Sequence, residues 1–260
     1  MSLSNLQNIY EEQFEFDIKN LDKYYTFKSD CLNALKKIPN QSIDFILTDP
    51  PYNLGLFMKN RQTNLKALRA NHFSGALWDH LEFDEWSENI DQLFNEFSRI
   101  LKKGKCLIIF MSIIKVETII RIAEKYGFYY KTTGIWHKKN PMPRNKDLHF
   151  INSTETWIYF TYGTKTSTFN NNGKTYHDFF ESSATPANEK KNGRHPTQKP
   201  LILLNHLISL LSNKNEIVLD PFMGSGSTGI AALNLKRKFI GIELNKTYYD
   251  LSNKSLSQYS

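Results

Sequence analysis

The stretch "EIVLDPFMGSGSTGIAALNLKRKFIGIE", residues 216–243, decides how this chain folds. Its first five residues form an apolar run that reads as a buried strand. The run opens into a turn where Gly224, Gly226 and Gly229 keep G-x-G-x-x-G spacing, and "SGSTGIAALNL" continues as a helix. "KFIGIE" (238–243) reads as the next strand. Strand, glycine turn and helix in that order offer free backbone N–H groups and the positive end of a helix dipole to an anionic group. Glu243 ends the second strand, seventeen residues beyond Gly226, where a carboxylate can take ribose hydroxyls. The unit predicts a nucleoside-type cofactor, either a dinucleotide or S-adenosylmethionine. Two features favour the second. The unit falls near the end of the chain, with only a strand and a terminal helix after its own helix. Its turn also begins "DPFMGSG", which sets Asp220 and Phe222 beside the pocket, and a cofactor carrying an ammonium gives that carboxylate a purpose.

Working outward, strand-like and helix-like segments alternate. Residues 24–30 and 43–49 read as buried strands around the short helix "CLNALKKI". Residues 84–103 place Ile90, Leu93, Phe94, Phe97, Ile100 and Leu101 on one helical face, with Gly104 as the stop. "KCLIIFMS" is a further strand, "VETIIRIAEKYG" a helix, and "YYKTTGIWHK" and "STETWIYFTYG" two later strands. "LILLNHLISLL" after Pro200 reads as a buried helix. The alternation predicts an α/β fold with a mostly parallel sheet covered by helices on both faces. Three polar stretches interrupt it: 53–82 with Lys59, Arg61, Lys66 and Arg69; "HKKNPMPRNKDLH" (137–149); and 164–199. Loops this long inside a compact domain are usually functional or disordered. No linker separates two full domains, so residues 1–260 are expected to form one.

Apolar residues make up 40% of the 260 and aromatics 13%, which supports a full core and argues against wholesale disorder. Lys and Arg outnumber Asp and Glu by 33 to 26, for a net charge of +7. That balance suits a polyanionic partner, though a solvated basic surface has the same composition. Two cysteines, Cys31 and Cys106, are too few for a zinc site or a disulfide framework, so no metal is expected and a reducing compartment fits. The N-terminus lacks a basic-then-apolar signal, and the longest apolar runs are too short to span a bilayer. A soluble cytoplasmic protein with no membrane partner is expected.

"TDPPYNLG", residues 48–55, ends the strand "IDFIL" with a carboxylate, two prolines and an aromatic ring. By itself this is also how a proline-capped strand end looks. If that strand neighbours the one ending at Asp220, both carboxyl ends meet at one crevice of the sheet. Asp49 and the Pro50 carbonyl would then accept hydrogen bonds from an exocyclic amine, Pro51 would stiffen the backbone, and Tyr52 would stack on a planar base. An amine conjugated with a ring is a poor nucleophile, and such hydrogen bonds draw its nitrogen towards tetrahedral geometry for in-line attack on a sulfonium methyl. The base would have to leave the duplex, because its amine is otherwise paired.

"DPPY", followed far downstream by "HPTQKP" and "DPFMGSGSTG", resembles the amino-methyltransferases of DNA, in the permuted motif order of the β-class. The resemblance runs from about Tyr25 to Tyr249 and is weakest over 56–82 and 164–193, with Ser29 where the family usually has Gly. It implies a Rossmann-like S-adenosylmethionine-dependent fold with a seven-stranded sheet, double-stranded DNA as partner, and a homodimer as a form familiar in the family. Aspartate rather than serine at the head of the motif favours adenine N6 over cytosine N4. Carried over by position, Asp30 and the Cys31 backbone would bind the cofactor's adenine and Glu243 its ribose. Phe222, Gly224, Ser225 and Gly226 would line the pocket, with Ser227, Thr228, Thr197 and Lys199 nearest the methionine end. Alone, Asp30 reads as a helix-capping acid and Trp136 as a core residue. Residues 164–193 are the candidate target-recognition insert: Lys165, Lys174, Lys190, Lys191 and the neighbouring Arg194 suit phosphates, and their Asn and Thr side chains suit base edges. Neither cysteine follows a proline, which argues against a cytosine-C5 nucleophile. Cytosine-N4 or RNA-amine methylation, a dinucleotide-dependent oxidoreductase and a non-catalytic nucleic-acid-binding module remain as alternatives.

Overall fold

The computed structural model describes residues 16–54, 81–143, 146–147, 150–193 and 195–259. The expectations placed on Gly55, Lys59, Arg61, Lys66, Arg69 and Arg194 lie outside these residues.

Among the described residues eight strands form one sheet: β1 (Tyr24–Lys28), β2 (Ile43–Thr48), β3 (Leu101–Met111), β4 (Phe128–Lys138), β5 (Thr154–Tyr162), β6 (Phe179–Ser182), β7 (Ile217–Asp220) and β8 (Lys238–Glu243). Their order is β1-β8-β7-β2-β3-β5-β4-β6. All neighbours are parallel except β5, which runs antiparallel to both β3 and β4. β2 is buried along its whole length, as an apolar run covered on both faces must be. Asp44 ties it to its neighbour: Oδ2 accepts from Ile217 N at 3.0 Å.

Helices α1 (Cys31–Leu35), α2 (Phe83–Ile100) and α3 (Val116–Lys125) pack on one face of the sheet, where Trp86, Ile90, Leu93, Phe94 and Phe97 form the thickest part of the core. Helices α4 (Leu201–Leu211) and α5 (Ser227–Asn234) cover the other face together with Leu256 of α6 (Lys246–Leu256). This is the mostly parallel, doubly covered α/β fold that the alternation predicts. Among the described residues no helix is long and apolar enough to cross a membrane.

Two expectations need correction. Among the described residues the sheet has eight strands rather than seven. The extra one, β6, lies in the polar stretch 164–199, whose side chains carry no strand period; it pairs in parallel with β4, Ile135 facing Phe179. The helix expected over 84–103 ends at Ile100, and the chain passes directly into β3. Gly104 is therefore inside the strand. Its φ of +77° serves an irregularity where Ile43 faces Leu101 but Phe45 already faces Cys106. Both cysteines are free and buried, and Trp136 is a core residue whose indole N–H donates to Ser182 Oγ at 2.9 Å.

Candidate active site

β2 and β7 are adjacent and parallel, with Phe45 facing Val218 and Ile46 facing Leu219. Their carboxyl ends deliver Asp49 and Asp220 to one cavity of about 440 Å³, a volume suited to a small-molecule cofactor. Fifteen of the sixteen residues singled out from the sequence line it: Asp30, Cys31, Asp49, Pro50, Pro51, Tyr52, Thr197, Lys199, Asp220, Phe222, Gly224, Ser225, Ser227, Thr228 and Glu243.

The exception is Gly226. It caps α5 with φ +79°, and a Cβ there would come within 3.0 Å of Ser252 Cβ in α6. A glycine there serves the turn and the close approach of two helices. Gly229 serves packing in the same way, since its Cβ would lie 2.6 Å from the Phe239 ring.

At one end of the cavity β1 and β8 run side by side, Lys28 facing Glu243. Just past β1, Asp30 caps α1: its Oδ1 accepts from Leu32 N at 3.0 Å and Asn33 N at 3.2 Å. The capping role read from the sequence is therefore real, and Asp30 still walls the cavity. Glu243 Oε2 accepts from Gly224 N at 3.0 Å and Oε1 from Asn245 N at 2.8 Å. These bonds fix the carboxylate against the glycine turn while leaving lone pairs for other donors. Burial pushes the Glu243 carboxyl up from its ordinary range, and the backbone donors oppose that.

Asp220 is almost wholly buried. Its Oδ1 accepts from Phe222 N at 3.1 Å and Thr48 Oγ1 at 3.2 Å. Burial nevertheless drives its pKa up to about 7. A carboxyl held out of water at that cost suits a site waiting for a cationic partner.

The other end of the cavity is a chain of charges. Tyr52 OH donates to Asp49 Oδ1 at 2.8 Å, and the Lys199 ammonium sits on Asp49 Oδ2. Lys199 also reaches Glu155 Oε2 at 3.1 Å, and Lys138 pairs with Glu155 Oε1 at 2.6 Å. Burial raises the Asp49 carboxyl against the pull of Lys199. Burial alone would lower the Lys199 ammonium, but Asp49 and Glu155 hold it above its ordinary value. Burial alone would raise Glu155, but Lys199 and Lys138 hold it below. The Tyr52 phenol, raised by burial and both carboxylates, stays protonated and donates.

Lys199, expected nearest the methionine end of the cofactor, lines the cavity with Thr197, Ser227 and Thr228 and rests on the Asp-Pro-Pro-Tyr carboxylate. The segment 195–199 spans both motifs, with His195 against Gly224 at one end and Lys199 against Asp49 at the other. Burial and the Lys199 charge lower the His195 pKa to about 4, so the ring is neutral at neutral pH. Sequence reasoning missed Glu155, Lys138 and His195. The only signal for Glu155 was a carboxylate between two threonines at the start of an otherwise apolar strand.

The profile of the family described as DNA methylase matches residues 43–254. The Type II methyltransferase M.HinfI of Haemophilus influenzae is 36% identical over 249 residues, covering 89% of this chain and 67% of that protein. The crystal structure of an M1.HpyAVI–SAM complex superposes with a TM-score of 0.67 at 29% identity, over 90% of this chain and 98% of that one. The cytosine-N4-specific PvuII DNA methyltransferase superposes with a TM-score of 0.70 at 18% identity, over 92% and 91% of the two chains, a likeness of fold alone. The chain belongs to the DNA methylase family.

Proposed function

We propose that the protein is a sequence-specific adenine-N6 methyltransferase of duplex DNA that uses S-adenosylmethionine and acts as the modification partner in a restriction–modification system. One observation carries this reading: the adjacency of β2 and β7 places the Asp-Pro-Pro-Tyr carboxylate and the glycine turn on a single cavity.

S-adenosylmethionine, when bound, supplies an electrophilic methyl on a sulfonium. The residues present fit it. Glu243 and Asp30 wall the end suited to its ribose and adenine, and Gly224 and Ser225 let the backbone come close. Asp220, costly to ionise without a cation, suits its ammonium. Asp49 and the Pro50 carbonyl accept hydrogen bonds from the N–H groups of an extruded adenine, which localises the lone pair on nitrogen. The amine sheds one proton for the methyl it gains, and Asp49 is the carboxylate positioned to take it. Tyr52 offers its ring to the base and its hydroxyl to Asp49, orienting the carboxylate.

The aspartate at position 49 supports adenine over cytosine, which the fold cannot decide because the cytosine-specific PvuII enzyme shares it. Residues 164–193 remain the candidate for target recognition. They now include β6, which extends the sheet and leaves the rest of the insert to read base edges. DNA as substrate supports a cytoplasmic site of action, and the family resemblance is what supports a homodimer, which sedimentation would read. Incubation with methyl-labelled cofactor and unmethylated duplex DNA, followed by hydrolysis and base analysis, tests the reading: label in N6-methyladenine supports it, and label in N4-methylcytosine moves the protein to the sister class.

A further inference from the structure

Each oxygen of Asp49 already accepts one bond, Oδ1 from Tyr52 OH and Oδ2 from Lys199, and keeps a lone pair for a further donor. An adenine amine that bonds at Oδ2 competes there with a full positive charge, and its bond strengthens when the ammonium withdraws. Both donors have a second acceptor in Glu155 Oε2, the Lys199 ammonium at 3.1 Å and the Tyr52 hydroxyl at 3.5 Å, and Lys199 is the closer and the charged one. Glu155 projects from β5, and its other oxygen is anchored by Lys138 at 2.6 Å. The Asp49 and Glu155 side chains are each 22% exposed, while Lys199 between them is 5% exposed. A shift of the ammonium from one carboxylate to the other keeps a buried charge paired throughout, whereas loss of both partners would strand it at a cost of several kcal/mol.

We propose that Glu155 is a positioning residue of the methyl-transfer reaction: it receives Lys199 when the target base arrives and so frees Asp49 Oδ2 for the amine. The proposal rests on the amine-methylation reading above. Glu155 touches neither substrate nor cofactor in this role; it acts through Lys199. Lys138 holds Glu155 in place and tempers its charge.

The groups facing Asp49 are Tyr52 from its own loop, Lys199 from the segment before α4, Glu155 from β5 and Asp220 from β7. Lys138 stands behind Glu155, and His195 feels the Lys199 charge from the side of the glycine turn. The signs follow from this layout. Removing the Glu155 charge leaves the pull of Lys199 on Asp49 less opposed, so Asp49 ionises at lower pH. Removing the Lys138 charge makes the cluster more negative, so Asp49 ionises at higher pH.

The test measures single-turnover methyl transfer from labelled S-adenosylmethionine to unmethylated plasmid DNA across pH, with cofactor affinity measured on the same samples. Glu155→Gln is expected to bind cofactor as the wild type does, to lose on the order of tenfold to a hundredfold in rate, and to move the acid limb down in pH. Glu155→Asp, which keeps the charge, recovers part of the rate. Lys138→Met moves the acid limb up. Opposite shifts check the charge layout, and the rate lost in Glu155→Gln at unchanged cofactor affinity, partly recovered in Glu155→Asp, is what supports the hand-over. An unmoved limb in both variants, a shift of the same sign in both, or full rate in Glu155→Gln overturns it. Should Glu155→Gln fail to fold, Glu155→Asp decides: a reduced rate at unchanged cofactor affinity supports the proposal and the full wild-type rate overturns it. A wild-type protein that methylates no adenine would instead overturn the functional reading on which the proposal stands.

Discussion

Lys199 and Asp49, 150 positions apart in the chain, form a largely buried ion pair in the wall of the cavity, and Glu155 shares the same ammonium. Lys199→Met would leave Asp49 without a cation and Glu155 with Lys138 alone, in a site that already raises Asp49 by burial. The expected loss is about 3–5 kcal/mol at neutral pH, read by urea denaturation. Without Lys199 the Asp49 carboxyl would sit further above its unfolded value. The deficit is then full only above that raised folded-state value and shrinks as pH falls through it and Asp49 protonates. A deficit independent of pH would contradict the pairing.

Asp220 offers a case where stability and binding oppose each other. Its folded pKa of about 7 lies above the ordinary carboxyl value, so the folded state holds a proton that the unfolded state has lost. The penalty is absent at low pH, grows as pH rises past the unfolded value, and is complete above about 7. Asp220→Asn is therefore expected to raise the melting temperature of the cofactor-free protein at pH 8, by a stability increment on the order of 2–4 kcal/mol. The same variant should bind S-adenosylmethionine much more weakly, and wild-type affinity should itself rise as pH increases through 7. Calorimetric titration and thermal melts on one set of samples read both effects.

Gly229 tests the packing role of the third glycine apart from the chemistry. A methyl there would meet the Phe239 ring at 2.6 Å and Leu256 at 2.9 Å, both apolar and buried. Gly229→Ala should cost about 1–3 kcal/mol in denaturant unfolding, with no direct effect on the cavity. An unchanged midpoint would show that helix α5 can shift without cost.

Why the site was largely legible in sequence, and where legibility stopped, follows from how each residue is held. Asp49, Asp220 and Glu243 sit at the carboxyl ends of strands whose apolar runs are continuous, so strand position alone aims them at one crevice. Asp30 was legible because a cap and a cavity wall occupy the same turn. Glu155 and Lys138 were not. Each lies on a strand beyond β3, where the sheet turns antiparallel, and only strand order brings them to Asp49. Strand order is a tertiary fact with no local period. β6 escaped for a related reason: its pairing with β4 comes from backbone bonds in a segment rich in polar side chains. Gly104 misled because a glycine after an amphipathic run reads as a helix stop, although here the helix passes straight into a strand.

Lys190, half-buried, and Lys191, exposed, stand near the end of the 164–193 region, next to the segment that carries His195 and Lys199. If they meet DNA phosphates, the double variant to alanine should weaken binding of unrelated duplexes uniformly. It should also lower the salt slope of the binding constant by about two, one for each phosphate no longer neutralised. Fluorescence anisotropy over a range of ionic strengths reads the slope, and an unchanged slope removes these lysines from the interface.

The central claim is that Asp49 holds the reacting amine while a separate set of residues holds the cofactor. Asp49→Ala tests it most directly, because the residue contacts neither Glu243 nor the glycine turn in the described hydrogen bonds. The measurement is single-turnover transfer of labelled methyl to unmethylated duplex DNA, paired with cofactor binding on the same preparation. The predicted result is near-normal binding of S-adenosylmethionine with transfer reduced by about two orders of magnitude or more. Transfer by Asp49→Ala at the wild-type rate would contradict the account.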